Sequence, residues 1–161
     1  TDSLLAGVQS HESIQAEADA AGIGAHLRFL GVITDPQQLA CAYEAASVHV
    51  FPVREIPGDP EGFGMVAIEA AAHGLPTVAF ATGGVVDAVE DGVSGWLVAN
   101  GDYRAFSSVV AISMQSLEPS RRDMVRGFAE RFAWPKFQRR LREAIAPDSA
   151  DPGLGRPPEA G

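Results

Sequence analysis

Hydrophobic and polar positions along this chain follow two rhythms. Short apolar runs at Ser3–Val8, Leu27–Leu30, Val48–Phe51, Thr77–Phe80 and Gly95–Val98 read as strands. Between them lie helical patterns at His11–Ala21, Pro36–Ala46, Phe63–His73 and Val85–Glu90, the third closed by Gly74 and Pro76, a C-cap followed by a stop signal. Three further helices are expected at Tyr103–Leu117, Arg121–Phe132 and Pro135–Ala146. The runs recur at spacings of about 20 to 30 residues, the rhythm of βαβ units. An α/β fold follows, with a Rossmann-like parallel sheet and flanking helices.

Composition narrows the class. The chain has 161 residues, 46% hydrophobic and 20% charged, which suits one globular body from residue 1 to 146. The stretch 147–161, with four Pro and three Gly in fifteen residues, has almost nothing to bury and is expected to be a disordered tail. The net charge of −9 argues against nucleic acid as a partner. A single cysteine, Cys41, cannot form an internal disulfide, and its neighbours look like a helix face; a reducing, cytoplasmic setting fits. No apolar run approaches the roughly 18 residues of a membrane helix.

The chemistry concentrates in "DPEGFGMVAIEAAAHGLP", residues 59–76. It reads as a helix apolar on every side, yet it carries Glu61 at its mouth and Glu69 within. Unpaired and buried, such a charge would cost several kcal/mol. In an open parallel sheet, ligands bind beyond the carboxyl ends of the strands. Two segments fall there, the loop Pro52–Glu61 leading into Gly62-Phe63-Gly64, and Thr82-Gly83-Gly84. Glycines admit a ligand close to the backbone, and free N–H groups at a helix start favour phosphate. Glu69 could then accept hydrogen bonds from ribose hydroxyls, and Glu61 from a sugar hydroxyl. The competing reading places Glu69 on a narrow solvent-facing strip, with Glu61 interacting only with the helix dipole.

Glu61 and Glu69, within "EGFGMVAIEAAAHGLPTVAFATGGVVDAVEDGVSGWLV", resemble the signature of family 4 retaining glycosyltransferases, in the C-terminal, donor-binding half of a GT-B fold. The likeness runs from about Leu4 to Ile145 and includes "LRFLGVI", "LACAYEAASVHVFP" and "FAERFAWPKFQRRL". It implies transfer of a sugar from a nucleotide-diphosphate sugar to a glycan or lipid acceptor with retention. Glu61 would be the catalytic contact to the donor sugar. Gly62, Phe63, Gly64 and Met65 would meet sugar hydroxyls and phosphate, Val66 would lie near the phosphates, Glu69 would hold the ribose, and Gly31 and Val32 would frame the base. No metal and no cofactor besides the donor are implied, basic side chains and helix N-termini stabilising the leaving diphosphate.

Three departures qualify the likeness. "VREIPGDP" is longer than the family's usual link and resembles the phosphatidylinositol mannosyltransferase-like subgroup, which would bring a lipid acceptor, with peripheral contact to the inner membrane face expected through the N-terminal domain of such an enzyme. Asp87 replaces a usual Glu. The chain enters at what resembles the second strand, "LLAGVQS" standing in place of Val-Gly-x-Gly-Pro, so the first strand and its Arg/Lys loop have no counterpart. The alternatives are another GT-B enzyme, such as a nucleotide-sugar 2-epimerase, and a non-catalytic nucleotide-binding domain. Among the remaining residues, His11 beside Glu12 reads as a helix N-terminal pair, His73 as a dipole partner and Trp134 as packing at a helix junction.

Overall fold

The computed structural model describes residues 10–53, 63–115 and 118–145. The chain divides into two compact units, Thr1–Leu39 and Ala40–Gly161.

In the first unit, α1 (His11–Ala20) starts where Ser10 accepts a hydrogen bond from the Ser13 amide at 3.1 Å, an N-cap that satisfies one orphan donor. His11 stacks on Phe29 with ring centroids 4.5 Å apart. A 3₁₀ turn, Gly24–His26, follows. The expected strand Leu27–Leu30 is not one. The segment pairs with no strand among the described residues, and Leu27, Phe29 and Leu30 are all exposed. An apolar run becomes a strand only when a neighbour supplies the ladder, a condition that local pattern does not report. The expected strand Ser3–Val8 and the segment 147–161 lie outside the described residues.

α2 (Pro36–Ala45) leads into the second unit, which holds the sheet. Strands β1 (His49–Phe51), β2 (Thr77–Phe80) and β3 (Gly95–Val98) run parallel in that spatial order. Register aligns Phe51 with Ala79 and Ala79 with Leu97; one residue earlier, Val78 lies beside Trp96. The period of two therefore sends Phe51, Ala79 and Leu97 to one face and Val78, Phe80 and Val98 to the other. Against the first face lie α3 (Met65–Ala72), α4 (Val85–Ala88) and α6 (Pro119–Ala129), through Ala67, Ile68, Ala71, Val85, Ala88, Val125 and Phe128. Phe106, Val109 and Val110 of α5 (Tyr103–Ser113) cover the second. The central strand is thus covered on both sides, which is why all four residues of β2 are buried and why its sequence shows no alternation with charged positions. Gly95 has a reason of its own: a β-carbon there would fall 2.0 Å from the Thr77 carbonyl oxygen, so the central ladder closes only on glycine.

Helix boundaries follow local chemistry. Gly64, in the left-handed region at φ 75°, stops α3 from starting at Phe63. α5 ends at Ser113, short of Leu117. Pro119 at the first position starts α6 before the expected Arg121, and a 3₁₀ turn at Glu130–Phe132 finishes that segment. α7 (Trp134–Ile145) begins one residue early, and Trp134, expected to pack at the junction, is instead 73% exposed with its ring edge-on to Phe137.

His49 in β1 is largely buried, with Nδ1 3.1 Å from Thr77 Oγ1. Burial lowers its pKa from the ordinary 6.5. The unfolded chain takes up the proton first on acidification, so this group's contribution to stability is present above pH 6.5 and is lost as pH falls through the lower folded value. Denaturant titrations between pH 7.5 and pH 5 should show a loss of stability that is smaller in His49→Asn than in the natural sequence; parallel curves for the two would refute the assignment.

Candidate functional site

The site is built where β1 and β2 end and α3 and α4 begin. Gly64 joins them: a β-carbon there would lie 3.5 Å from Phe51 Cε1, 3.8 Å from Val85 Cα and 3.3 Å from Ala88 Cβ. The start of α3 is therefore seated against the end of β1 and the start of α4, at the carboxyl edge of the parallel sheet. Gly64 has no side chain to cap the helix, and the amides of Met65 and Val66 have no acceptor among the described residues. Such donors and the positive end of the helix dipole suit an anion. Alongside, Thr82 is buried and its backbone carbonyl accepts from the Val85 amide at 3.1 Å, closing the Thr82-Gly83-Gly84 turn into α4.

α3 has two unlike sides. Ala67, Ile68, Ala70 and Ala71 are buried, whereas Met65, Val66 and Glu69 are exposed, as is Phe63 just before it. Glu69 thus does not occupy the interior of an all-apolar helix; it stands on the solvent-facing strip, one turn beyond the helix start. Its Oε2 accepts a hydrogen bond from the Tyr43 hydroxyl at 3.4 Å. Burial, then the negative charge of Glu69 and the hydrogen bond to it, raises the Tyr43 pKa above 10, which keeps the phenol a donor. His73, one turn later, stacks on Tyr43 at 5.4 Å and lies 3.6 Å from Glu44.

Glu69 also borders a hollow of about 420 Å³ shared with Ile68, Ala72, Arg126 and Glu130, within the size range of small-molecule sites. A second hollow, of about 410 Å³, lies between Phe63, Met65 and Ile68 and the aromatic residues Phe132, Trp134 and Phe137, with Arg131 and Arg140 at its rim. Arg131 pairs with Glu90 and lies over the Phe128 ring. No group of three or more metal-ligating side chains occurs among the described residues, and no helix among them is long and apolar enough to cross a membrane.

The expected site residues Phe63, Gly64, Met65, Val66 and Glu69 thus come together on one helix start. Glu61 and Gly62 lie outside the described residues. Gly31 and Val32 belong to the other compact unit, Gly31 at φ 68° and Val32 91% exposed. Tyr43 was not among the expected site residues. It stands 26 residues from Glu69 in the chain, and no local period connects them.

A parallel sheet with helices on both faces, and a glycine-started helix opening at its carboxyl edge, defines an α/β domain of the Rossmann-like class. Residues 2–115 match the family described as glycosyl transferases group 1, and the chain belongs to that family, with the GT-B character that its sequence implies. Among its relatives, the D-inositol 3-phosphate glycosyltransferase of Mycobacterium avium (strain 104) is 35% identical over 131 residues, covering 80% of this chain and 30% of that one. The enzyme of the same name from Streptomyces coelicolor is 37% identical over 130 residues, 80% of this chain and 27% of that one. The chain thus spans less than a third of the length of these curated relatives. Among solved structures, Anabaena HepE in complex with UDP superposes with a TM-score of 0.70 at 23% identity, covering 83% of this chain and 36% of that one. Sucrose-phosphate synthase from Thermosynechococcus elongatus superposes at 0.56 with 29% identity, covering 83% and 34%.

Proposed function

We propose that this chain is the donor-binding part of a retaining glycosyltransferase that takes its sugar from a nucleoside-diphosphate sugar. The observation that carries the reading is the start of α3 in a member of this family: Met65 and Val66 amides without an acceptor among the described residues, at the carboxyl edge of the sheet, with Glu69 exposed one turn further on. The α3 amides receive the diphosphate, where fixed donors are worth most as charge develops on the leaving group. Glu69 accepts from the ribose hydroxyls, at a distance along the helix that the phosphate-to-ribose span can bridge. Glu61 contacts the donor sugar, and Gly62 and Phe63 approach its hydroxyls. The relative solved with UDP supports the choice of ligand class.

Calorimetric titration of the full-length protein with UDP, GDP and ADP, each compared with its nucleoside, tests this. At least one diphosphate should bind tenfold or more tightly than the nucleoside, about 1.4 kcal/mol. Equal affinity for nucleoside and diphosphate in all three pairs would overturn the phosphate assignment.

A further inference from the structure

We infer that Tyr43 is a positioning residue for the Glu69 carboxylate and thereby sets how strongly the site prefers a ribose over a deoxyribose. This rests on the reading of Glu69 as the ribose acceptor and names a further residue that the reading needs. A carboxylate on an exposed helix face is free to sample several rotamers, and every rotamer that does not meet the sugar reduces binding by its share of the population. Glu69 has one restraint among the described residues, the Tyr43 hydroxyl 3.4 Å from Oε2. Its other oxygen, Oε1, has no partner there and stays open to accept. One oxygen is anchored to α2 while the other is presented outward, an arrangement that suits a group required to accept from a diol.

The anchor is itself held. The Tyr43 ring lies nearly parallel to the His73 imidazole, with 13° between their planes and 5.4 Å between centroids. Glu69 and the α3 C-cap residue His73 are four apart, so they stand one above the other on the same side of the helix. A ring stacked on His73 therefore brings its hydroxyl to the level of Glu69 without bending either element. Glu44, the next residue along α2, has Oε1 3.6 Å from His73 Nδ1 and draws the imidazole to the same helix. The two helices are joined through Tyr43 and His73, each of which carries a second contact, to Glu69 and to Glu44 respectively, and such support is what holds a binding group in place.

The test uses the tightest-binding nucleoside diphosphate among UDP, GDP and ADP together with its 2′-deoxy counterpart, titrated into the full-length protein and into Tyr43→Phe and Glu69→Ala. Phenylalanine keeps the ring and its stack on His73 and removes only a surface hydroxyl, so the variant should melt as the natural protein does. The natural protein should prefer the ribonucleotide, and Glu69→Ala should abolish the preference. Tyr43→Phe should cut it threefold or more, by weakening the ribonucleotide while leaving the deoxynucleotide unchanged. A merely structural tyrosine would weaken both ligands equally. If Glu69→Ala abolishes the preference and Tyr43→Phe leaves it intact, the positioning role is refuted and the ribose reading stands. If the preference survives in Glu69→Ala, or is absent from the natural protein, the ribose reading itself falls.

Discussion

Replacing Glu69 by alanine is expected to weaken binding of the free nucleoside diphosphate and of the nucleotide sugar by the same factor, roughly ten- to a hundredfold. The magnitude follows from losing charge-assisted hydrogen bonds to the ribose, about 1.5–3 kcal/mol. Stability should hardly move: Glu69 is exposed, and surface substitutions of this kind usually stay within about 0.5 kcal/mol. Glu61→Ala should behave differently. A residue that meets only the sugar leaves nucleoside diphosphate binding almost unchanged, while transfer falls by about a hundredfold or more, as when a single group aimed at the reacting centre is removed. Calorimetry with the diphosphate and a sugar-transfer assay on the full-length protein separate the two variants. Equal loss of diphosphate binding in both would refute the division of labour between the glutamates.

The second large effect concerns the core. Phe80→Ala is expected to destabilise the protein by about 3–5 kcal/mol. Phe80 is fully buried at the end of the central strand, 4.7 Å from the Phe106 ring and edge-on to Tyr103 at 5.2 Å, so its removal leaves a cavity between β2 and α5. At roughly 2–4 °C per kcal/mol for a chain of this size, the melting temperature should drop by about 6–20 °C. Phe80→Leu, which fills most of the same space, should recover more than half of the loss. A chemical denaturation curve for Phe80→Ala within about 1 kcal/mol of the natural protein would show that this face of the sheet carries little of the stability.

Much of this architecture is legible in the residues, and the failures have physical causes. Thr77–Phe80 reads as a strand because a run with no charged position is what a strand covered on both sides demands, and the structure buries all four. Gly74 and Pro76 mark the end of α3 to within a residue because capping is local. Leu27–Leu30 fails for the opposite reason: a ladder needs a partner strand, and three apolar residues around Arg28 do not reveal whether one exists. Trp134 fails similarly, since an aromatic residue at a helix junction reads as packing whether or not anything covers it, and here it is exposed. At the site, the glycines and Glu69 are legible through the backbone chemistry of a helix start. The exposure of Glu69 was one of two open readings, because alanines on its flanks look alike whether they face a sheet or water. Tyr43 is invisible to any local reading, its partner being set by how α2 and α3 lie together.

The placement of the two tryptophans gives the chain two unlike optical reporters. Trp96 lies on β3, half-buried, with the Arg121 guanidinium 4.4 Å above its ring, so its fluorescence is tied to the integrity of the sheet. Trp134 stands in solvent at the start of α7, open to collisional quenchers and sensitive to whatever approaches the helix there. A single emission spectrum is therefore the sum of an inner signal, changed by unfolding, and an outer one, changed by contact.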